Sequence, residues 1–375
     1  MPTYINAIGT AVPSHKIKQT EIVNFMAKAH QMSSEAKHRL RALYRASGIQ
    51  FRHSVLADFG EDAAYDFFPD NDDLEPFPTI SQRMELYRKE AFPLSLAAVH
   101  DCFKRQKNIA TKDITHIVMV SCTGMYAPGV DIELVKALKL PSNVQRSCIN
   151  FMGCYAAFNA LKVADHIVRA QKEARVLVVC TELCTLHFQK NKDEDTLLAN
   201  ALFADGSAAV LLSAEAERGQ AQLSLEQFYC ALATEGEQDM AWHIGDFGFE
   251  MKLSAYVPDI IKKGIRQLSE QLVSEYAKTK EKDTEAAVAD YFAIHPGGKR
   301  ILQVIEEQLG LSTEDNRYAY EVLKSYGNMS SPTVLFVLQA LMAERGPLDH
   351  KKQVLSFAFG PGLTLESMLL NVCYL

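Results

Sequence analysis

The sequence has few cysteines and shows no pattern of metal ligands. Its eight cysteines are spread over 375 residues, most of them in apolar segments. Only Cys180 and Cys184 lie close together, and no histidine pair accompanies them at the spacing of a zinc site. This usage favours free thiols over a disulfide framework, so we expect a cytoplasmic protein that holds no metal ion.

Positive charge is also scarce. Lysine and arginine number 39 against 46 acidic residues, and the net charge of -7 argues against nonspecific binding to nucleic acid. The first residues lack the basic start and apolar run of a signal peptide. No apolar run approaches the roughly 20 residues that a membrane-spanning helix needs. We therefore expect neither nucleic acid nor a membrane as a partner.

Strand-like and helix-like segments alternate in both halves of the chain. Short runs rich in β-branched residues predict strands, and apolar residues at helical spacing predict helices. The predicted strands are 114–121, 175–180, 207–213, 289–294 and 353–359, and the predicted helices are 154–171 and 330–343. Such alternation predicts an α/β protein built from stacked layers.

A charged, turn-prone stretch at 214–219 suggests a division of the chain. We predict an N-terminal half, 1–218, that carries a nucleophilic cysteine, and a C-terminal half, 219–375, that carries a catalytic histidine and asparagine. Residues 57–78 are rich in acidic residues, glycine, proline and aromatics, which predicts an excursion on the surface.

Cys154 is the candidate nucleophile. It follows Gly153 and stands where the helix over 154–171 is predicted to begin. The positive end of that helix would favour the thiolate, which is the nucleophilic form of cysteine. Because a cysteine in an apolar segment is more often a buried structural residue, that alternative stays open.

His295 and Asn328 are the candidate partners of this cysteine. His295 ends an apolar strand and precedes two glycines, and its neutral imidazole could accept a thiol proton. Asn328 precedes an apolar helix, and its amide could donate a hydrogen bond to developing negative charge. The alternatives are an ordinary loop histidine and a helix N-cap asparagine. Each residue stands at an element boundary, where active sites of layered α/β folds gather.

Six short motifs occur in order along the chain. They are Ala7–Pro13, Gly153–Cys154, Leu202–Gly206, His295–Gly298, Tyr326–Ser331 and Phe359–Thr364. Together they resemble the type III polyketide synthases, the chalcone-synthase-like branch of the thiolase fold, and the likeness covers nearly the whole chain. It implies a thiolase-like layered αβαβα fold made of two similar halves, closer to bacterial than to plant members.

The resemblance implies roles for single residues. Cys154, His295 and Asn328 match the family's catalytic triad, and Phe203 matches a gatekeeper phenylalanine that helps to orient malonyl-CoA. Met251 falls at the second gatekeeper position, and Trp242 falls where plant members carry a glycine beside the cyclisation pocket. Further positions that match substrate-binding sites are Cys122, Thr123, Cys184, His187, Gly297, Gly298 and Ser330, with Arg39, Arg41 and Arg45 as loosely matched candidates for the CoA phosphates.

This likeness predicts an iterative condensing enzyme that acts as a homodimer. An acyl-CoA starter would load Cys154, and malonyl-CoA would extend the chain before it cyclises to an alkylpyrone, a resorcinol or a related aromatic product. Coenzyme A thioesters are substrates here, so no cofactor is expected. The alternatives are a single-round ketoacyl synthase, a hydrolase of the papain type, and a non-catalytic acyl-CoA-binding relative.

Overall fold

The computed structural model describes residues 1–60, 65–280 and 289–375. Its strands are β1 Thr3–Ala11, β2 His15–Lys18, β3 Phe51–Ser54, β4 His116–Ser121, β5 Gln145–Asn150, β6 Arg175–Leu183, β7 Asp205–Ser213, β8 Ala221–Leu232, β9 Met240–Gly245, β10 Gly248–Leu253, β11 Tyr291–Ile294, β12 Gln353–Gly360 and β13 Thr364–Tyr374. Its helices are α1 Gln19–Ala29, α2 Ser34–Ala46, α3 Ile80–Lys104, α4 Val130–Ala137, α5 Ala156–Ala170, α6 Glu194–Leu202, α7 Val257–Lys280, α8 Lys299–Leu309, α9 Arg317–Tyr326 and α10 Thr333–Ala343.

All five predicted strands and both predicted helices are confirmed, with shifts at their ends. The helix predicted from Cys154 begins two residues later, because Gly153–Tyr155 forms a separate 3-10 turn. The helix predicted from Ser330 begins at Thr333. Ser330 has a φ of 58°, and this left-handed backbone cannot start a right-handed helix.

One nine-stranded sheet runs through both halves, in the order β11-β12-β13-β8-β1-β7-β6-β4-β5. In the first half, β4 and β6 pair in parallel, and β6–β7 and β7–β1 are antiparallel. The second half repeats this series, with β11 and β12 parallel and β12–β13 and β13–β8 antiparallel. The halves meet where β1 pairs with β8.

Helices lie between the two half-sheets and outside them. Helix α5 contacts β4 and β6 of the first half and β13 of the second, and α10 contacts β1, β7, β8 and β11. Helix α3 covers the outer side of β1 and β7, and α7 covers β8 and β13. The order of layers is therefore αβαβα, as predicted. The division at 218/219 falls in the connection between β7 and β8 and stays a prediction.

The predicted surface excursion over 57–78 is wrong for its aromatic residues. Phe59, Phe68 and Phe77 are buried, and they pack with Phe25 of α1 and with Phe188. Burying a large aromatic side chain stabilises the fold by about 2 kcal/mol, which outweighs the polar composition of the neighbouring residues. These three rings therefore anchor the segment to the core of the first half, whereas Asp70, Asp72, Asp73 and Glu75 are exposed as predicted. Residues 61–64 of the predicted excursion lie outside the described residues.

Candidate active site

The fold brings the three candidate catalytic residues to one cavity. Cys154 lies in the turn that leads into α5, Asn328 lies before α10, and His295 directly follows β11. All three line a cavity of about 600 Å³, together with Phe203. A backbone bridge joins Phe203 to Asn328, so the gatekeeper position and the amide are fixed to each other. Since α5 and α10 form the central layer, the cavity lies between the two halves.

The amide of Asn328 has a fixed orientation beside the thiol. Its Oδ1 accepts a hydrogen bond from Ser330 N at 2.8 Å, and its Nδ2 donates to Gly297 O at 3.2 Å. Nδ2 also lies 3.8 Å from Cys154 Sγ. The amide therefore presents N–H groups towards the place where a thioester on Cys154 would lie.

The ring of His295 is buried, and neither of its nitrogens has a hydrogen-bond partner among the described residues. Its backbone N–H donates to Phe357 O at 2.8 Å, which ties the residue to β12. A buried imidazole without a partner is costly unless a ligand supplies one. The ring is thus free to hydrogen-bond a substrate oxygen or sulfur in the cavity.

Burial controls the charge of the thiol and of the imidazole. It raises the pKa of Cys154 to about 11, although hydrogen bonds from Ser330 and Asn328 act in the opposite direction. It lowers the pKa of His295 to about 3. Burial thus acts against the charged form of the thiol, and the expectation that the start of α5 favours the thiolate stays a prediction. Burial therefore favours the neutral form of both side chains in the free protein.

Most of the predicted substrate-binding residues line this same cavity. They are Cys122, Thr123, Cys184, Trp242, Met251, Gly297 and Ser330. His187 instead lines a second cavity of about 520 Å³, which shares Cys184, Phe203, Trp242 and Met251 with the first. Gly298 is the N-cap residue of α8 and is absent from the lining.

The arginines proposed for the CoA phosphates lie on the surface helix α2. Arg39, Arg41 and Arg45 are exposed, and none of them lines either cavity. Arg39 Nη2 lies 3.7 Å from Glu35 Oε1, and Arg41 Nη2 donates to Asn24 Oδ1 at 3.0 Å. Their contact with a CoA phosphate stays a prediction.

Glu182 of β6 holds residues of the cavity wall, and the sequence reasoning missed it. It is fully buried and accepts hydrogen bonds from Cys122 N, Thr123 Oγ1 and Ser331 Oγ, at 2.8, 2.9 and 2.6 Å. Burial raises the pKa of its carboxyl to about 7, although these donors act in the opposite direction. The signal was available in the sequence, because a carboxylate inside the apolar strand 175–183 requires buried partners.

A second buried group, the guanidinium of Arg52, holds the backbone at Phe203. Arg52 donates from Nη1 to Phe203 O and Asn200 O, at 2.6 and 2.8 Å, and from Nε to Gln19 Oε1 at 2.8 Å. Burial lowers the pKa of Arg52, while nearby Asp205 and Tyr44 act to raise it. Loss of Arg52 would leave these backbone carbonyls without a donor next to Phe203.

The turn before Cys154 requires glycine. Gly153 has a φ of 75°, and an added Cβ would lie 2.4 Å from Cδ of Pro361. Its backbone N–H donates to Cys122 Sγ at 3.0 Å. The Gly-Cys motif and the Gly-Pro-Gly motif thus meet beside Cys154.

The described part of the chain offers neither a cluster of metal ligands nor a membrane-spanning helix. In residues 1–60, 65–280 and 289–375, no group of three or more histidine, cysteine or acidic side chains could hold a metal ion. Within the same ranges, no helix combines the length and apolar character that crossing a membrane requires.

Comparison with known proteins identifies the family. The N-terminal domain of chalcone and stilbene synthases matches residues 2–216, and the C-terminal domain of the same family matches residues 225–373. Sequence relatives include "Alpha-pyrone synthesis polyketide synthase-like Pks18" of Mycobacterium tuberculosis, 30% identical over 98% of this chain and 91% of the relative. They also include "Probable polyketide synthase 1" of Dictyostelium discoideum, 30% identical over 98% of this chain, which spans only 11% of that protein.

Comparison with solved structures supports the same family. The C-terminal type III polyketide synthase domain of Steely1 from Dictyostelium, a type I/III hybrid, superposes with a TM-score of 0.90, at 28% identity and 99% coverage of both chains. PKS-I from the brown alga Ectocarpus siliculosus gives a TM-score of 0.87, at 29% identity, and covers 99% of this chain and 98% of its own.

The chain therefore belongs to the chalcone and stilbene synthase family, and its layered α/β structure is thiolase-like. Within that family it is a type III polyketide synthase, an acyltransferase that depends on malonyl-CoA. The predicted family, fold class and enzyme class are confirmed.

Proposed function

We propose that Cys154 carries the growing chain and that His295 serves as its base. The imidazole takes the thiol proton as Sγ attacks the carbonyl carbon of an acyl-CoA thioester, and it returns the proton to the departing CoA sulfur. Because burial favours the neutral form of both groups, the ion pair forms only during the attack. The free ring nitrogens of His295 in the same cavity support this role.

His295 and Asn328 then stabilise the enolate. Malonyl-CoA loses carbon dioxide, and the electron pair of the broken bond becomes a thioester enolate whose oxygen accepts hydrogen bonds from both side chains. The enolate carbon attacks the carbonyl carbon of acyl-Cys154, the bond from that carbon to Sγ breaks to release the Cys154 thiolate, and the extended chain remains on CoA. For another round the thiolate takes the chain back from CoA, which leaves as the free thiol after protonation. The orientation of the Asn328 amide, held by Ser330 and Gly297, is the observation that carries this proposal.

The proposed reaction repeats until the chain cyclises. An alkylpyrone, a resorcinol or a related aromatic product is proposed, with pyrone formation supported by the name of the Mycobacterium relative. The second candidate is a single-round ketoacyl synthase, which the same residues would serve. Product mass separates the two, because repeated extension adds more than one two-carbon unit.

Several further properties belong to this proposal. CoA thioesters act as substrates and no cofactor is required, with the CoA phosphates near Arg39, Arg41 and Arg45. The enzyme is cytoplasmic and forms a homodimer. Strand β5 supports pairing, because it stands at the end of the sheet order beside the nucleophile turn and its first residues are exposed. A monomer in light scattering at micromolar concentration would remove the dimer from the proposal.

The test separates acyl transfer from decarboxylation. Cys154→Gln removes the nucleophile and places an amide near the acyl position, so it should still convert malonyl-CoA to acetyl-CoA and carbon dioxide but make no extended product. Asn328→Ala should still be acylated at Cys154, while decarboxylation falls on the order of 10²-fold, the loss of one oxyanion donor.

Cys230→Ser is the matched control, because Cys230 is an exposed thiol on β8. It should retain both activities. If folded Cys154→Gln loses decarboxylation as completely as condensation, the proposed division of roles is wrong.

A further inference from the structure

The hairpin of β9 and β10 forms a wall between the two cavities. Trp242 of β9 and Met251 of β10 stand directly opposite each other in the register, and both side chains line both cavities. The first cavity holds Cys154, and the second extends to apolar side chains from other elements. These are Ile22, Met26, Phe59 and Phe188.

Two polar contacts fix this wall to the segment that follows β4. Trp242 Nε1 donates to Cys122 O at 2.7 Å. The second contact runs through His187, whose Nδ1 accepts from Phe249 N at 2.9 Å and whose Nε2 lies 2.6 Å from Thr123 O. Because a backbone N–H can only donate, Nδ1 carries no proton, and Nε2 must therefore donate to Thr123 O.

Stacking reinforces the His187 bridge. The imidazole lies flat on the Phe249 ring, with centroids 4.2 Å apart and an interplanar angle of 3°. The Trp242 ring meets both of these rings edge-on, at 5.9 Å from His187 and 6.0 Å from Phe249. The position of Trp242 in the wall is therefore coupled to the position of His187.

The turn of the hairpin is attached separately. Ile80 N donates to Asp246 O at 2.8 Å, and Gln189 Nε2 donates to Phe247 O at 3.1 Å. These contacts hold the turn at residues 245–248, whereas His187 and Trp242 hold the part that faces the cavities. Removing the His187 bridge should therefore loosen the wall at Phe249 and at the Trp242 ring, which then keeps only its bond to Cys122 O, without detaching the hairpin.

We propose that His187 is a positioning residue that sets the length of the acyl starter. This role rests on the proposed function. It holds Trp242 and Met251 in the place where they end the Cys154 cavity. A short acyl chain on Cys154 fits in front of this wall. A longer chain must displace the wall to reach the apolar side of the second cavity, so a fixed wall disfavours it.

The test compares two replacements of His187. His187→Phe retains an aromatic ring for stacking on Phe249 but removes both hydrogen bonds. His187→Gln is the conservative control, because its amide can donate to Thr123 O and accept from Phe249 N. The readout is the ratio of kcat/KM for dodecanoyl-CoA to kcat/KM for hexanoyl-CoA, with malonyl-CoA as extender.

His187→Phe should raise this ratio roughly tenfold, the effect of a hydrogen bond or two on a wall that opposes the longer chain. His187→Gln should stay within about twofold of the unchanged protein. Should His187→Phe fail to fold, His187→Asn replaces it, because its shorter amide cannot span both partners. A folded variant without the bridge that keeps the original ratio overturns the proposal.

Fluorescence gives a readout that does not depend on catalysis. Trp242 is the only tryptophan in the sequence, so its emission reports the wall alone. Acrylamide should quench it more strongly in His187→Phe and equally in His187→Gln and the unchanged protein. Equal quenching in all three proteins would show that His187 does not position the wall.

Failure of the proposed function would give other experimental results than failure of the His187 role. If the unchanged protein makes no extended product from any acyl-CoA, the function is wrong and the length-setting role falls with it, whereas quenching still decides whether His187 holds the wall. If quenching changes but the ratio does not, the function stands and the length-setting role is overturned.

Discussion

Acid should destabilise this protein through His187, and the Gln variant isolates that effect. The side chain of His187 is only 5% exposed, and burial lowers its pKa to about 3. Nearby Arg83 acts in the same direction, while the hydrogen bond to Thr123 opposes it. The ring therefore stays neutral in the folded protein at every pH above about 4, where both of its hydrogen bonds persist.

Proton linkage gives the direction in which the free energy of unfolding changes with pH. An unfolded chain binds a proton at this histidine below its ordinary pKa of about 6.5, whereas the folded chain does not. At pH 7 the residue hardly affects the free energy of unfolding. As the pH falls below 6.5, proton binding stabilises the unfolded state relative to the folded state. Since pH 5 lies about 1.5 units below the pKa of the unfolded chain, the free energy of unfolding at this pH is lower by about 2 kcal/mol.

Urea unfolding at pH 7 and pH 5 measures this difference. Glutamine does not titrate, so the stability of His187→Gln relative to the unchanged protein should rise by about 2 kcal/mol between pH 7 and pH 5. If His187→Gln and the unchanged protein lose stability equally on acidification, His187 is not a buried neutral histidine.

Other replacements test the cavity and the nucleophile turn. Gly153→Ala should cost more than about 2 kcal/mol in urea unfolding, because strain at a φ of 75° adds to the clash with Pro361. Gly219→Ala has a similar φ of 77° but no atom within 4 Å of the new Cβ, so it should cost only about 1 kcal/mol; equal costs would contradict the clash. Trp242 should favour medium-chain acyl-CoA over a cinnamoyl-type starter, and Trp242→Gly should raise the relative kcat/KM of the cinnamoyl-type starter. A preference for that starter that Trp242→Gly does not change would refute this view of the cavity.

The strands were predictable because their burial is visible in local sequence. The run Val176–Val179 is apolar and β-branched, and it is fully buried in β6. The start of α5 was less predictable, because it follows a turn in which Gly153 has a positive φ. A side chain on this glycine would clash with Pro361, which lies far along the chain. Local pattern thus predicts elements better than their ends.

The convergence of the candidate catalytic residues on one cavity was predictable because motifs carry them, whereas long-range contacts were not predictable. Cys154, His295 and Asn328 stand in motifs and line one cavity, as expected. The bridge by His187 depends on partners 64 and 62 residues away, which no local pattern reveals. The burial of Phe59 was missed for the same reason, because its aromatic partners lie on other elements.

The repeated strand order gives each half of the chain one share of the chemistry. Cys122 and Thr123 follow β4 as His295 follows its counterpart β11, and Cys154 precedes α5 as Asn328 precedes α10. The proposed acyl carrier thus belongs to one copy of the unit, and the proposed enolate stabilisers belong to the other. Replacing Cys154 or Asn328 can therefore alter one partial reaction and leave the other intact, whereas His295 of the second copy is proposed to act in both.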